Sequence, residues 1–436
     1  GLHIEMRSST MFGSSTNYAA ARLLGASRDD PVMIKARRFI KDNGGAVGVP
    51  PWGKFWLSVL GCYDWDGFNS VFPEIWLFPE LVPFHPSRWW CHCRMVYLPM
   101  AYCYANRIVG KITDLVSELR EELYAEPYHE INWKNHRDSL AKCDEYTDSN
   151  WLLKSLFLLA NTYERCVIPY FRKRASDFIL EYVRAEDKQT NSIDIGPVNK
   201  AMNALVIWHA DGPDSKSFEA HVDRLWDYLW LAEDGLKMQG YNGSQLWDTT
   251  FGVMAILETE NLNPVEFSDC IRKAYHYMDI TQSEADVPQR HRFYRHISKG
   301  GWPFSTKDHG WPIADTTAHA LEAVLLSHKS GIIRNEISNS RLFDAVNILL
   351  SYQNKDGGWA TYENTRGGEW LEMLNPSAVF DKIMIDYSYT ELSSSVVQAL
   401  QCFTKMYPNH RTEEIRLSVR RGVDLIKSQQ RDDGSW

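Results

Sequence analysis

The sequence contains no run of 18 apolar residues, so it holds no segment able to cross a bilayer as a helix. It also lacks a basic excess. Its 47 Lys and Arg stand against 56 Asp and Glu, a formal net charge of -9, which offers a phosphate backbone no footprint and sets nucleic acid aside as a partner. Its eight cysteines, at 62, 91, 93, 103, 143, 166, 270 and 402, lack the paired spacing of a disulfide framework or a four-cysteine zinc site. The nearest approach to a ligand set is Cys91-His92-Cys93 with Cys103. One intervening residue is tight for chelation, and no second pair follows. Neither a metal nor a cofactor is expected. Strand-type alternation is scarce as well, which leaves helix after helix joined by turn-rich connections.

What is abundant is aromatic. Apolar residues make up 44% of the chain, enough for a large core, and 13% are Phe, Trp or Tyr, with 17 Trp. So many indoles suit lined cavities or stacked repeats as well as ordinary packing. Residues 67–86 read GFNSVFPEIWLFPELVPFHP. The prolines rule out a long buried helix, while Trp and Phe suit the headgroup boundary of a membrane. A surface attachment to one leaflet is expected there, against the alternative of a buried loop.

Helical periodicity places helices at 31–42, 95–109, 149–165, 168–185, 216–231, 249–258, 315–328, 341–353, 389–406 and 412–429. A signature recurs at their connections. Gln239…Gly243…Trp247, Gln353…Gly357-Gly358-Trp359 and Gln429…Gly434-Ser435-Trp436 each set Gln at a helix end, then Gly, then Trp. Gly supplies the left-handed turn that stops a helix, and the Gln amide satisfies backbone groups left open there. A second echo joins Trp247-Asp248-Thr249-Thr250 to Trp311…Asp315-Thr316-Thr317, each opening an apolar helix. From the residues alone, Asp315 reads as a helix cap.

Five features now resemble the oxidosqualene cyclases and their squalene-hopene cyclase relatives. They are the Gln…Gly-x-Trp repeats, the segment from Trp90 to Met100, and the segments Met238 to Asp248, Lys299 to Thr306 and Ala360 to Glu363. The resemblance covers the whole chain. It implies an all-α fold of two α/α barrels of the terpene cyclase type, incomplete at both ends. Residues 1–235 would belong to the second barrel, with the membrane-facing segment 67–86, and residues 236–436 to the catalytic barrel. It further implies a triterpene cyclase that converts (3S)-2,3-oxidosqualene to a tetracyclic sterol precursor. Such an enzyme would be attached to one leaflet on the cytosolic side of the endoplasmic reticulum or a lipid droplet. Family members are longer, so these 436 residues are expected to be a fragment that is inactive by itself.

The same resemblance makes Asp315 the catalytic acid. Sterol-forming members write that segment Asp-Cys-Thr-Ala-Glu, and here it is Asp315-Thr316-Thr317-Ala318-His319, so Thr316 stands where a supporting cysteine is found. It also implies that Trp90, Trp247, Phe304 and Tyr362 face the cationic intermediates, and that His92 with Tyr362 steers the final proton loss. Tyr241 and Ile313 match the cycloartenol-forming members, where lanosterol-forming ones tend to have Thr and Val. Without the resemblance, each aromatic reads as core packing.

The chemistry needs these residue types. An epoxide oxygen is a poor base, so its opening requires a carboxylic acid that holds its proton at rest. The migrating charge then needs aromatic faces, which attract cations without trapping them. Other readings are a squalene-type cyclase acting on non-epoxidised substrate and an inactive cyclase-like lipid-binding protein. An α/α-barrel glycoside hydrolase would require a second acid facing Asp315, and a prenyltransferase barrel an Asp, Cys and His zinc set. The motifs supply neither.

Overall fold

Helices form where the apolar stripes are, and a computed structural model describes them over residues 9–146, 150–233, 235–260 and 263–436. The chain folds into two compact units. The first comprises residues 1–86, 97–180 and 368–384, and the second 87–96, 181–367 and 385–436. The division read at 235/236 falls inside 181–367, a continuous stretch of the second unit.

In the first unit, helices Met11–Leu23, Pro31–Asp42 and Asp114–Glu122 begin at side-chain caps. Thr10 accepts from the Gly13 N–H, Asp30 from Val32 with Pro31 at the first helical position, and Thr113 from Val116. Each cap satisfies one amide that the helix cannot. Helix Pro51–Val59 carries Lys54, whose buried ammonium donates to the carbonyls of His136, Arg137 and Ser139 at 2.6, 2.8 and 3.0 Å. Around these helices Tyr18, Ile40, Leu57, Leu119 and Leu123 form one core.

In the second unit, helix Ala314–Lys329 is central and buried nearly all round. Helices Gln245–Glu258, Ser268–Thr281, Asn339–Ser351 and Thr390–Met406 pack against it. Leu321, Val324, Leu349, Leu400 and the indoles of Trp302 and Trp359 fill the space between.

The repeated turn has a defined geometry. Gln353 Nε2 donates to the Gly357 carbonyl at 2.8 Å, and Trp359 Nε1 reaches back to the Leu349 carbonyl at 2.7 Å. At Gly357, φ is +98° and a Cβ would lie 2.6 Å from the Arg421 carbonyl oxygen, so only glycine fits. The last repeat copies this with Gln430 rather than Gln429: Gln430 Nε2 donates to Gly434 at 2.9 Å and Trp436 Nε1 to Ile426 at 2.7 Å. Gln282 and Trp302 make an unforeseen further copy, donating to the carbonyls of Gly300 and Met278 at 2.8 Å each. The long separation of Gln282 from Gly300 hides it from a search by spacing. The Gln239 segment is different, because Gln239 bonds the Asp227 carbonyl and Trp247 bonds a histidine.

The helix expected at 216–231 stops at Asp223, continues as a 3-10 turn Arg224–Tyr228, and gives way to a hairpin of Leu229–Ala232 with Gly235–Met238. Trp230 and Leu231 are 48% and 80% exposed. They present no core-facing stripe that would hold a helix together.

Candidate active site

Every site residue that the resemblance implies, from Trp90 to Tyr362, lies in the second unit. Asp315 is the second residue of helix Ala314–Lys329 and not its cap. The cap position belongs to Ile313, which has no side chain to offer a hydrogen bond. The helix start is instead fixed from outside. Ala314 N–H donates to the Thr361 carbonyl at 2.9 Å, Ile313 N–H to Trp302 at 3.0 Å, and the Thr317 hydroxyl accepts from Trp302 N–H at 3.0 Å. Between 311 and 325 only Asp315 and His319 are partly exposed. Four residues apart on a helix, they share one face.

One Asp315 oxygen accepts the Thr316 backbone N–H at 2.8 Å. The support expected from Thr316 thus comes from its amide. Its hydroxyl is buried without a hydrogen bond of ordinary geometry. Burial pushes the Asp315 carboxyl up to about 6, with the Thr316 amide opposing and Glu391 adding to the rise. A carboxyl so placed holds its proton more firmly than a solvated one, while the amide and the helix terminus favour the anion left after donation.

Beside the acid runs a line of rings. Trp90 and His92 lie 4.8 Å apart, His92 and Tyr241 6.4 Å, Tyr241 and Phe304 4.9 Å, and Phe304 and Trp247 4.9 Å. Tyr362 joins edge-on, 5.1 Å from His92 and 5.8 Å from Trp311. Asp315 acts on the Tyr241 phenol electrostatically, and His319, one turn further along the same helix face, accepts from Trp247 of this line at 3.0 Å. His92 is held neutral, its pKa pushed down to about 3 by burial and then by His309 and Arg94. Burial drives the Tyr362 phenol far up, so its hydroxyl keeps its proton. Ile313, two residues before the acid, is 1% exposed.

Two buried groups hold the chain segments that carry His92 and Tyr362. Arg94, two residues after His92, donates to both oxygens of Glu363 at 2.8 and 2.9 Å, and Glu363 follows Tyr362. Asp386 is the acid that the motifs miss. It is an isolated carboxyl at the end of the apolar run Ile383-Met384-Ile385, and no repeat or helix pattern marks it. It is 5% exposed and accepts the Tyr362 N–H at 3.4 Å through Oδ2, while Oδ1 has no partner.

Burial pushes Asp386 up to about 8, with Glu363 adding to the rise, so it carries a proton at neutral pH. The folded-state value lies above the unfolded one, so its contribution to stability falls as pH rises from about 4 to about 8. Asp386→Asn, which mimics the protonated form, should therefore match the parent in Tm near pH 4 and gain on it up to pH 8. A Tm difference that does not vary with pH would exclude this.

Elsewhere in the second unit Asp187, Asp194 and His221 bring ligand-type atoms within 4.8 Å of one another. The positive charge there is Lys200, whose Nζ lies 2.7 Å from His221 Nδ1 and 3.9 Å from Asp194. All eight cysteines are free.

Comparison with known proteins identifies the family. The Squalene-hopene cyclase N-terminal domain matches residues 4–230 and the Squalene-hopene cyclase C-terminal domain residues 243–436. Cycloartenol synthase of Dictyostelium discoideum is 51% identical over 100% of this chain and 62% of its own length. Lanosterol synthase of Homo sapiens is 49% identical, over 100% and 60%. Protostadienol synthase A of Neosartorya fischeri is 38% identical, over 100% and 59%. The chain thus spans about three fifths of the length of these relatives. With both domains matched in order across a predominantly helical fold, the chain belongs to the squalene-hopene cyclase family of terpene cyclases.

Proposed function

We propose that the protein to which this chain belongs is an oxidosqualene cyclase, an isomerase that folds 2,3-oxidosqualene into a tetracyclic sterol precursor. The observation that carries the reading is Asp315, a partly exposed acid with its pKa raised to about 6, beside a continuous line of aromatic rings. Its O–H gives the proton to the epoxide oxygen as the C–O bond breaks, and the nearest double bond supplies the electrons that close the first ring. Charge then passes along the folded chain. Trp90, Tyr241, Trp247, Phe304 and Tyr362 offer it ring faces, each worth about 2 kcal/mol or more when desolvated. A proton leaves at the end to His92, neutral and beside Tyr362, so substrate and product are isomers and no cofactor is consumed.

Tyr241 and Ile313 favour a cycloartenol-type product over a lanosterol-type one. Expression of the complete reading frame in a host lacking its own cyclase, with lipid identification, tests the proposal. Accumulation of unchanged oxidosqualene would overturn it, and cyclisation of squalene alone would replace the substrate.

The same reading attaches the protein to one leaflet, on the cytosolic side of the endoplasmic reticulum or a lipid droplet. No helix among the described residues is long and apolar enough to cross a membrane. The first unit nevertheless exposes apolar side chains. Segment 67–86 is divided: Phe68 and Trp76 are buried in the unit, while Phe78, Phe84 and above all Leu81, 87% exposed, face outward. Trp151, Leu158, Leu159 and Tyr170 of the same unit are exposed too. Phe72, Leu77, Phe78, Ile168 and Phe171 line a groove of about 370 Å³. Burying such a surface in the interface is favourable by about 25 cal/mol per Å². The chain should float with phospholipid vesicles, and replacing Phe78, Leu81 and Phe84 by Ser should return it to the soluble fraction; unchanged flotation would remove this segment from the attachment.

A further inference from the structure

We propose that His319 is a positioning residue that fixes the plane of the Trp247 indole and so decides which cationic intermediate that ring face stabilises. The inference rests on the cyclase reading for its consequence, although the geometry stands without it. Trp247 Nε1 donates to His319 Nδ1 at 3.0 Å. The two side chains come from helices Gln245–Glu258 and Ala314–Lys329, which pack side by side. Accepting at Nδ1 requires a neutral imidazole with its proton on Nε2. Burial lowers the His319 pKa, which favours that neutral form.

The remaining contacts leave the indole little freedom. Phe251, one turn beyond Trp247, lies 5.0 Å from the indole and 4.7 Å from the His319 ring. Phe304 packs on Trp247 at 4.9 Å with an interplanar angle of 41°. The other indole of the line differs, since Trp90 Nε1 is buried without a partner. Trp247 is therefore the indole of the line that has been given a polar anchor, and the anchor sits one helical turn beyond Asp315 on the same face.

Cation–π attraction is strongest along the ring normal, so tilting the ring by about 30° carries the favoured point sideways by roughly 2 Å at contact distance. In a polyene that is more than one carbon–carbon bond. A ring free to tilt would stabilise a neighbouring cation, and an alternative product would grow at the expense of the native one.

The test compares His319→Asn, whose amide oxygen can overlay Nδ1 as an acceptor, with His319→Phe, which keeps a ring but accepts nothing. In the chain itself, the hydrogen-bond-sensitive indole band in ultraviolet resonance Raman, isolated by subtracting Trp247→Phe, should shift in His319→Phe and stay in His319→Asn. In the complete protein, the ratio of minor to major cyclised product should change about fivefold or more in His319→Phe and be restored in His319→Asn. An unshifted band, or a shifted band with unchanged product ratio, would overturn the assignment. A parent enzyme that makes no cyclised product would overturn the cyclase reading instead, while the Raman comparison still decides whether His319 holds the indole.

Discussion

Asp315→Asn should leave oxidosqualene uncyclised, with turnover lowered by roughly ten-thousand-fold, the upper range for removal of a general acid. Asn has the shape of the acid and an oxygen that can still accept the Thr316 N–H, now at 2.8 Å. It has no proton to give. The loss should therefore come without unfolding, and the Tm of the variant at neutral pH should not fall below that of the parent. The raised pKa makes a second arm of the same experiment. Only the protonated acid reacts, so activity of the parent should decline as pH rises through about 6. Retention of cyclised product in Asp315→Asn would remove Asp315 as the donor, and no other part of the proposal would then explain initiation.

Glu363→Leu should be the most destabilising single change near the site, by about 3–5 kcal/mol, because it breaks a buried ion pair by removing one partner. Arg94 is fully buried, and its guanidinium would lose both carboxylate oxygens. Arg366, 3.1 Å from Glu363, would lose its carboxylate partner and keep the Ser87 and Tyr294 carbonyls. Arg366 and then Arg94 outweigh the desolvation of Glu363 and hold its pKa down at about 2. The folded value lies below the unfolded one, so the stability it contributes is present above about pH 4.5 and is lost as pH falls toward 2. Denaturant melts at pH 7 and pH 3 read both effects, and a loss under 1 kcal/mol at pH 7 would contradict the pair's structural role. The consequence for the site is geometric. Arg94 follows His92 by two residues and Glu363 follows Tyr362 by one, so this pair sets the 5.1 Å approach of the two rings.

Much of this was legible before folding. The helices at Pro31–Asp42 and Thr412–Ser428 were readable because an apolar stripe and a polar face coincide in them, with a side-chain cap, Asp30, added in the first. Helix Cys91–Ala105 begins earlier than the sequence suggests and contains Pro99. It is buried along most of its length, and a helix that is apolar all round has no stripe to betray its ends. Helices Pro197–Asp211 and Ser268–Thr281 were likewise missed, the first opening at a glycine with no side-chain cap.

The sequence by itself determined the helical class, the turn glycines and the residue types of the candidate site. Those depend on local backbone preference and on chemistry that each side chain carries wherever it lies. Only the tertiary structure decided that Asp315 is not a cap, that the Thr316 amide supports it, and that Gln430 and Gln282 make the repeated turns. It alone placed Asp386 under Tyr362 and His319 against Trp247. Hydrogen-bond partners and burial are set by chain segments far apart in sequence, and a pKa follows from both, so no local pattern could have announced them.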